Sequence, residues 1–485
     1  MLNLALALVS AALLILTFPG FNLFWLAPVA LTPLLIAAAR EHRWLRRFGL
    51  GWAAGFVYWF GICYWIEDVL ARYAGVSPLV AWLLFTLFAL TKALHMAVFA
   101  LLAGILIRRW WAVPAVSACW VAVEVTHGPL GFAWLDLGNA GIGMSLPMRL
   151  APLTGVYGLS FVFAMMATAL ALAVLRRPRL ELHWLLILPF LAFLPPLPPA
   201  QRGQEVALLV QPNISETEEW TTDSVNRMEE DLAGFTLDSV RVQRFRPPSI
   251  AVWPEVPAPL YYEDDPRFRA LMDQLARTAH LYLLLGVVSH TADNRPLNSA
   301  QLIGPNGFPI SRYDKVNLVP FGEFVPWPFG LVANKVSSEA GDFAPGRTAV
   351  VSPVAGHRIG TFICYESVFP NFVRQFVSGG AEVLFNISND GWFGKSAARE
   401  QHLRIVRMRA AENRRWILRS TNDGITATID PAGRLRGTLP LYARATSYTG
   451  FSYISEKTVY TRFGDWFPLL CATIVLMCVV AERVL

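Results

Sequence analysis

The sequence predicts a helical membrane domain of about eight transmembrane helices joined to an extracytoplasmic α/β sandwich. The 485-residue chain is 54% hydrophobic and only 16% charged, whereas soluble domains average about 25% charged residues. Of its 41 basic and 35 acidic residues, only 12 and 6 lie within residues 1–200. Long apolar runs fill that region, and short apolar strands alternate with helical patterns after it. The chain is therefore divided into a part suited to lipid and a part suited to water.

Eight apolar runs approach the length of about 20 residues that a helix needs to cross a bilayer. They lie at about 3–22, 23–39, 48–66, 78–107, 110–125, 150–175, 182–197 and 466–482. We therefore expect seven helices within residues 1–198 and an eighth within residues 464–485.

Clusters of arginine predict how these helices are oriented. Four arginines lie within residues 40–47, and further clusters lie at 108–109 and 176–179, all in connections on one side of the predicted bundle. The positive-inside rule places that side in the cytoplasm, so the long segment before the last helix is extracytoplasmic. The net charge of +6 is explained by this topology, and we expect no nucleic-acid partner.

The extracytoplasmic segment is expected to form one domain over residues 203–455. A Pro-rich stretch at 194–203 leads into it, and a polar stretch at 456–465 leads out. Predicted strands lie at 206–211, 249–253, 281–288, 358–363 and 382–388, and predicted helices at 221–245, 265–279 and 399–414. Near-continuous apolar strands between amphipathic helices are typical of a layered α/β domain whose strands are buried on both faces.

Several polar segments have two interpretations each. Within the predicted spans, Lys92, His95 and Glu124 are expected to pair with each other or to extend toward the interface, and an ion pathway is the alternative. We expect the aromatic-rich connection 127–148, the floor segment, to lie beneath the external domain. The basic helix at 399–415 is expected to be a solvated helix packed on the sheet, with headgroup contact as the alternative.

Cys364 is the only one of five cysteines outside the predicted spans, so no disulfide partner is available in its domain. The strand-like run 358–363 leads into it, and an apolar stretch that can begin a helix follows. The thiol is then expected at a strand-to-helix turn, where backbone N–H groups favour the thiolate. This pattern predicts a nucleophile, and a buried structural cysteine is the alternative.

Glu255 and Lys315 supply the other groups that acyl chemistry requires. Glu255 follows the predicted strand 249–253, at the sheet edge where α/β folds bind ligands, and is a candidate general base. The alternative is a carboxylate that caps a neighbouring element. Lys315 is surrounded by hydrophobic residues, and Glu323 follows eight positions later. A thiol that attacks a carbonyl needs a base and a positive group for the oxyanion, although Lys315 is alternatively a surface charge with a buried stem.

The segments WPE, KVNLVPFGE and CYE occur in this order and resemble the nitrilase (carbon–nitrogen hydrolase) superfamily, whose catalytic residues are Glu, Lys and Cys. With a polytopic segment before them and one helix after them, the chain looks like the apolipoprotein N-acyltransferase family. The resemblance implies an αββα sandwich. It makes Glu255 the proton acceptor, Lys315 the cation beside the oxyanion and Cys364 the acylated nucleophile, with Glu323, Tyr365 and Glu366 in supporting positions and Trp220 as the candidate for an entrance tryptophan on a mobile loop.

The resemblance implies a monomer embedded in the bacterial inner membrane, with a periplasmic catalytic domain and with no cofactor or metal. Its phospholipid partner donates an acyl chain to Cys364 as a thioester, and the N-terminal amine of a diacylglyceryl-modified apolipoprotein then accepts it. We expect residues 324–333 to form a lipid-facing lid, or alternatively a core loop.

The closest alternative function is a membrane-anchored nitrilase-type amidase or hydrolase that uses water as the acceptor with the same triad. A transporter or scaffold whose external domain only binds ligands is a further class, and it leaves the lone external thiol unexplained.

Overall fold

The structure, a computed structural model, describes residues 1–73, 76–176, 179–242, 246–320, 322–324 and 343–484. The helices that precede the first β-strand and those that follow the last one are together called the helical part. The α-helices are α1 (Leu2–Thr17), α2 (Thr32–Arg40), α3 (Trp44–Ile62), α4 (Trp65–Tyr73), α5 (Pro78–Leu106), α6 (Ala112–Glu124), α7 (Ala151–Thr154), α8 (Val156–Val174), α9 (Thr222–Val242), α10 (Pro266–Ala279), α11 (Pro370–Ser378), α12 (Ala398–Asn413), α13 (Val459–Phe463) and α14 (Trp466–Val484). Further 3₁₀-helices include Val125–His127, Leu137–Gly143, Arg179–Phe193 and Cys364–Val368.

Two of the described helices, α5 and α8, are long and apolar enough to cross a membrane. The pair α3 and α4, bent by 58° at the break between them, makes a third if it counts as one span. Shorter apolar helices lie at Leu2–Thr17, Ala112–His127, Leu180–Phe193 and Trp466–Ala481. In the predicted run 23–39, the 3₁₀-helix Phe24–Leu26 is separated from the nine-residue helix α2 by a turn that contains Pro28, which lacks the N–H that a helix interior requires. The eight-span arrangement therefore stays a prediction.

Lys92, His95 and Glu124 form no ion pair with each other among the described residues, although His95 Nδ1 lies 3.3 Å from the Lys92 carbonyl oxygen. The Lys92 ammonium lies 5.0 Å from the centre of the Trp59 ring and donates to the His127 carbonyl over 3.4 Å. The His95 ring packs edge-to-face on the His127 ring, with 4.5 Å between their centres. Glu124 Oε1 accepts hydrogen bonds from a tryptophan ring N–H and from a backbone N–H. Each residue is thus held by aromatic rings and backbone groups.

Two six-stranded sheets follow the helical part. Their strands are β1 (Glu205–Gln211), β2 (Ile250–Val252), β3 (Tyr282–His290), β4 (Pro296–Ile303), β5 (Pro309–Asp314), β6 (Val351–Val354), β7 (His357–Ile363), β8 (Val383–Ser388), β9 (Ile417–Thr421), β10 (Ala427–Ile429), β11 (Leu435–Thr438) and β12 (Ala445–Phe451). The strand orders are β12-β1-β2-β3-β4-β5 and β11-β10-β9-β8-β7-β6. In each sheet three central strands are parallel, namely β1 to β3 and β7 to β9.

Alternation along β1 shows how the layers are arranged. Leu208 and Val210 belong to a core shared with α9 and α10, whereas Ala207 and Leu209 belong to the core shared with the second sheet. Helices α11 and α12 pack beside the second sheet and the Cys364–Val368 turn. The result is the αββα sandwich that the resemblance implies, and it confirms the predicted α/β class.

The basic helix predicted at 399–415 corresponds to α12. It packs beside the second sheet as expected, but the prediction that its basic face is solvated is wrong. Arg399, Arg404 and Arg409 are buried. Helix α12 packs against α7 and the 3₁₀-helix Leu137–Gly143 of the helical part, which cover much of its basic face. Arg399 is ion-paired, with its Nη2 lying 2.7 Å from the Asp423 carboxylate, whereas Arg404 donates to the Asn22 side chain. Charge and periodicity alone do not reveal what covers a helix.

Candidate active site

Cys364 lies at a tight turn that ends a central strand of the second sheet. Strand β7 ends at Ile363, and the 3₁₀-helix Cys364–Val368 follows at once. The backbone of Cys364 has φ +48°, a left-handed conformation that costs a non-glycine residue roughly 1–2 kcal/mol. Its side chain is buried. The surrounding structure must therefore hold this conformation in place.

The Cys364 thiol is neutral in the resting protein. Burial raises its pKa above the ordinary value, and the carboxylates of Glu255 and Asp390 raise it further. The Lys315 ammonium and the Ser388 hydroxyl act in the opposite direction without offsetting these effects. The expectation that the turn favours the thiolate is wrong, because enclosure and nearby negative charge outweigh the turn. Attack by this sulfur requires a base.

The structure brings Glu255 and Lys315 into direct contact. Glu255 follows β2 and Lys315 follows β5, and Lys315 Nζ donates to Glu255 Oε1 over 2.9 Å. The Glu323 carboxylate lies 2.9 Å from the same nitrogen. Asn298 on β4 links the two acids, since its Nδ2 donates to Glu255 Oε1 over 2.8 Å and to Glu323 Oε1 over 2.7 Å. Strand ends that are far apart in sequence thus converge on one ammonium.

These contacts keep Lys315 charged. Burial by itself lowers the pKa of Lys315, but Glu255 and Glu323 outweigh it and hold the pKa well above its ordinary value. The second oxygen of Glu255, Oε2, accepts a hydrogen bond from the backbone N–H of Asn389 over 2.8 Å. A carboxylate oxygen has two lone pairs, so Oε2 can still accept a proton. The cluster contains a fixed cation and a base with free capacity.

Glu366 joins the Lys315 segment to the cysteine turn. Its Oε1 accepts hydrogen bonds from the Tyr313 hydroxyl over 2.6 Å and from the Val316 N–H over 2.7 Å. Its Oε2 accepts one from the Ile363 N–H over 2.7 Å. One fully buried carboxylate thus fixes the residues on either side of Lys315 and the residue before Cys364. Its contacts are those of a supporting residue.

A buried network contacts the backbone of Cys364 and consists of His402, Asp390 and Arg419. His402 Nε2 lies 3.1 Å from the Cys364 carbonyl oxygen and 2.8 Å from the Ser367 hydroxyl oxygen. His402 Nδ1 lies 3.0 Å from Asp390 Oδ1, and Arg419 donates to both Asp390 oxygens. Burial opposes ionisation of Asp390, but Arg419 and His402 lower its pKa. Burial and Arg419 lower the pKa of His402, and Asp390 acts in the opposite direction.

Tyr365 connects the cysteine turn to the floor segment. Its hydroxyl accepts a hydrogen bond from the Ala133 N–H over 3.2 Å and lies 3.3 Å from the Ala133 carbonyl oxygen. Its ring stacks on Phe132, with 5.5 Å between centres. Nearby, Trp134 Nε1 donates to Gln401 of α12 over 2.7 Å. The floor segment therefore contacts the external domain at the cysteine turn.

Trp220 lies apart from this cluster in the described contacts. It is half-buried and packs against the outer core shared by the first sheet, α9 and α10. Among the hydrogen bonds and ring contacts of the described residues, none joins it to Glu255, Lys315 or Cys364. Of the predicted lid at 324–333, residues 325–333 lie outside the described residues.

Sequence reasoning missed four residues near the triad. They are Asn298, Asn389, His402 and Glu216. The carboxylate of Glu216, on the same loop as Trp220, accepts a hydrogen bond from Asn422 over 2.9 Å. Burial raises the pKa of Glu216 to about 7, and the charges of Asp423 and Glu255 contribute to the rise. The polar run after β8, NDGWFG, was a usable signal, because it follows a buried strand at the edge that holds Cys364.

No group of three or more His, Cys, Asp or Glu side chains in the described ranges is placed to hold a metal ion. We assign no metal ligands and no cofactor contacts in this site.

Comparison with known proteins covers both parts of the chain. The family model "Carbon-nitrogen hydrolase" matches residues 210–452, and the model "Apolipoprotein N-acyltransferase N-terminal domain" matches residues 10–169. The apolipoprotein N-acyltransferase of Geobacter metallireducens is 33% identical over 96% of this chain and 92% of its own length. That of Azotobacter vinelandii is 34% identical over 97% of this chain and 93% of its own length.

Among solved structures, an amidase from Nesterenkonia sp. is 17% identical, covering 54% of this chain and 94% of its own, with a TM-score of 0.41. The sequence relatives extend over nearly the full chain, and their identity exceeds 30%. The chain belongs to the apolipoprotein N-acyltransferase family of the nitrilase superfamily, and it is an acyltransferase.

Proposed function

We propose that this enzyme moves an acyl chain from a membrane phospholipid to Cys364 and then to the N-terminal amine of a diacylglyceryl-modified apolipoprotein. The observation that carries the proposal is the buried Glu255–Lys315 contact of 2.9 Å beside a neutral thiol. The family assignment supports the lipoprotein acceptor. The contact between the cysteine turn and the floor segment supports a lipid donor, because it places the site beside the apolar helical part.

In the first half-reaction, the Cys364 sulfur attacks the ester carbonyl of the phospholipid as Glu255 takes the thiol proton. The negative charge that develops on the carbonyl oxygen lies beside the Lys315 ammonium. The ester C–O bond then breaks, and Glu255 returns the proton to the leaving glycerol oxygen. The products are a thioester on Cys364 and a lysophospholipid.

In the second half-reaction, the neutral amine of the acceptor attacks the thioester carbonyl. Glu255 takes a proton from the nitrogen as the C–N bond forms, and the C–S bond breaks. The same proton restores the Cys364 thiol. The amide is more stable than the thioester, so transfer is downhill without an external energy source. Water must be excluded during the lifetime of the thioester, because hydrolysis would release a fatty acid.

Within this scheme, the supporting residues act on geometry. Asn298 and Glu323 fix the positions of Glu255 and Lys315 through hydrogen bonds and an ion pair. Glu366 fixes the turn through the Ile363 N–H. Trp220 is proposed as an entrance residue on the loop that carries Glu216.

We also propose the domain organisation and location of the chain. A transmembrane domain over residues 1–198, a periplasmic catalytic domain over 203–455 and a last transmembrane helix over 464–485 place a monomer in the bacterial inner membrane. The apolar helices α5 and α8 support this arrangement. The 15-residue 3₁₀-helix Arg179–Phe193 supports it as well, since a rise of about 2 Å per residue lets it extend roughly 30 Å.

The test uses the full chain in phospholipid vesicles with a diacylated lipopeptide as acceptor. We expect an N-acylated lipopeptide and an equal amount of lysophospholipid, both abolished in Cys364→Ser. The matched control is Cys119→Ser, which changes a buried thiol in α6 and should retain activity. Release of fatty acid without N-acyl product would instead support the hydrolase alternative.

A further inference from the structure

A small cavity lies inside the helical part, lined mainly by aromatic and aliphatic side chains. Its volume is about 20 Å³. Its lining includes four polar side chains, those of Tyr58, His95, Glu124 and His127. A cavity needs roughly 10–15 Å³ on this measure to hold one water molecule. The space is therefore sufficient for water.

Three of these side chains, all except Tyr58, have a buried atom with no hydrogen-bond partner among the described residues. These atoms are His95 Nε2, Glu124 Oε2 and His127 Nδ1. Burying an unpaired polar group costs several kcal/mol in hydrocarbon surroundings, so such atoms are normally paired with protein or water. Three of them on the walls of one small cavity indicate a shared ligand.

The chemistry of these atoms specifies the kind of ligand. His95 Nδ1 lies 3.3 Å from the carbonyl oxygen of Lys92, which assigns the ring proton to Nδ1 and leaves Nε2 as an acceptor. Glu124 Oε2 is an acceptor when the carboxyl is ionised. A very small ligand that can both donate and accept hydrogen bonds satisfies these atoms whether the carboxyl is ionised or protonated. Water fits this description.

Glu124 also connects the cavity to the active site. Its other oxygen, Oε1, accepts hydrogen bonds from the Leu137 N–H over 2.7 Å and from Trp120 Nε1 over 3.0 Å. Leu137 begins a 3₁₀-helix within the floor segment. Four residues earlier, the backbone of Ala133 contacts the hydroxyl of Tyr365, next to Cys364.

We propose that Glu124, with His95 and His127, binds buried water in this cavity, and that the hydrated carboxylate is a positioning group that fixes the floor segment beneath Tyr365. The water pairs Oε2 and so keeps the carboxyl oriented for Leu137. Glu124 acts through the floor segment and does not touch the reacting atoms. The inference rests on the proposed role of Cys364, because the effect of the segment is on the residue next to that thiol.

The first test is an experimental structure of the full chain in lipid, at a resolution that shows ordered solvent. We expect density in the cavity within hydrogen-bond distance of Glu124 Oε2 and at least one of the two histidines. A dry cavity would overturn the water site. A thallium-exchanged sample tests the other small ligand, since an anomalous peak in the cavity would mean a monovalent cation in place of water.

The second test is a double-mutant cycle on the rate of Cys364 acylation by phospholipid. Glu124→Leu should lower this rate roughly tenfold with little change in the phospholipid KM, because it misplaces the turn and leaves the lipid surface intact. Glu124→Gln retains an acceptor for Leu137 and a polar group toward the water, so it should stay within about twofold.

Tyr365→Phe removes the hydroxyl that contacts Ala133, so the double variant Glu124→Leu/Tyr365→Phe should be no slower than the slower single variant. Fully additive effects would overturn the link to the active site. If the wild-type protein does not acylate Cys364, the proposed function itself is contradicted. The wild-type assay gives this result before any variant is made.

Discussion

The two helix layers of the sandwich carry the same kind of ion pair in opposite surroundings. On α9, Arg241 and Asp238 lie 3.6 Å apart, with side chains 63% and 77% exposed. On α12, Arg409 and Glu412 lie 2.9 Å apart at the same spacing of three residues, with side chains 1% and 0% exposed. The first helix faces outward, and the second is covered by the helical part. The sequence spacing is the same, so the covering layer decides what each charge does.

The covered layer is also the one that supports Cys364. His402 lies on α12 and reaches the Cys364 carbonyl, and its partners Asp390 and Arg419 are fully buried. Isolated charges are strongly disfavoured in such surroundings, whereas paired charges hold a fixed geometry. We therefore expect substitutions on the covered side to affect both stability and acylation, and substitutions on the outward side to affect neither.

The largest effect is expected from Asp390→Ala. It leaves Arg419 buried without its carboxylate, which should lower the free energy of unfolding by about 3–5 kcal/mol. Thermal unfolding of the full chain in detergent, compared with wild type, measures this loss. A change of less than about 1 kcal/mol would show that the covered layer does not depend on this network for its stability.

The second largest effect is expected in the pH dependence of stability that arises from Glu216, a single carboxyl in the loop before α9. Burial raises its pKa to about 7, whereas an unfolded glutamate titrates near 4.3. The folded state therefore holds this proton more tightly, so the stabilising effect is complete below about pH 4 and is lost as the pH rises through about 7. The total loss is about 4 kcal/mol at most.

Glu216→Gln removes this titration and keeps a group of the same shape. The stability of the variant relative to wild type should therefore rise between pH 5 and pH 8. Melting temperatures of both proteins across that range measure the trend. A difference that stays constant with pH would contradict the assigned effect of burial.

A smaller effect is expected from His402→Ala. Loss of the imidazole frees the Cys364 carbonyl, so the acylation rate should fall roughly tenfold, about 1.4 kcal/mol in barrier, while the phospholipid KM changes little. Partial recovery in His402→Gln, which retains a side-chain N–H, separates positioning from general destabilisation. If kcat falls and KM rises by the same factor in both variants, His402 only maintains the fold.

The smallest effect is expected from Asp238→Ala on α9. An exposed pair of this kind contributes about 0–1 kcal/mol, so stability should change by less than about 0.5 kcal/mol and acylation should not change. The same measurements apply. A loss as large as that of Asp390→Ala would remove the distinction between the two layers.

The sequence was sufficient for the α/β class and for the segments that hold Glu255, Lys315 and Cys364. Apolar runs mark the central strands, and Glu255 and Cys364 each follow a parallel strand, whereas Lys315 follows the antiparallel strand β5 and was located by its sequence segment alone. Asn298 was missed because it lies in β4, which no prediction identified. His402 was missed because its contact with Cys364 depends on which face of a buried helix meets the turn.

The helical part was harder to predict for a different reason. Hydropathy locates apolar runs, but Pro28 and the break after Ile62 divide them in ways that an average over residues does not register. Whether α12 is exposed or covered depends on contacts such as the one between Trp134 and Gln401, which are 267 residues apart in sequence. No local pattern contains that information.

The most direct test of the central claim is the intact mass of the purified chain after exposure to phospholipid without an acceptor. We predict an increase equal to one acyl group that hydroxylamine removes, that Cys119→Ser retains and that Cys364→Ala lacks. An unchanged mass in the wild-type protein, or an acyl adduct that persists in Cys364→Ala, would contradict the assignment of Cys364 as the acylated residue.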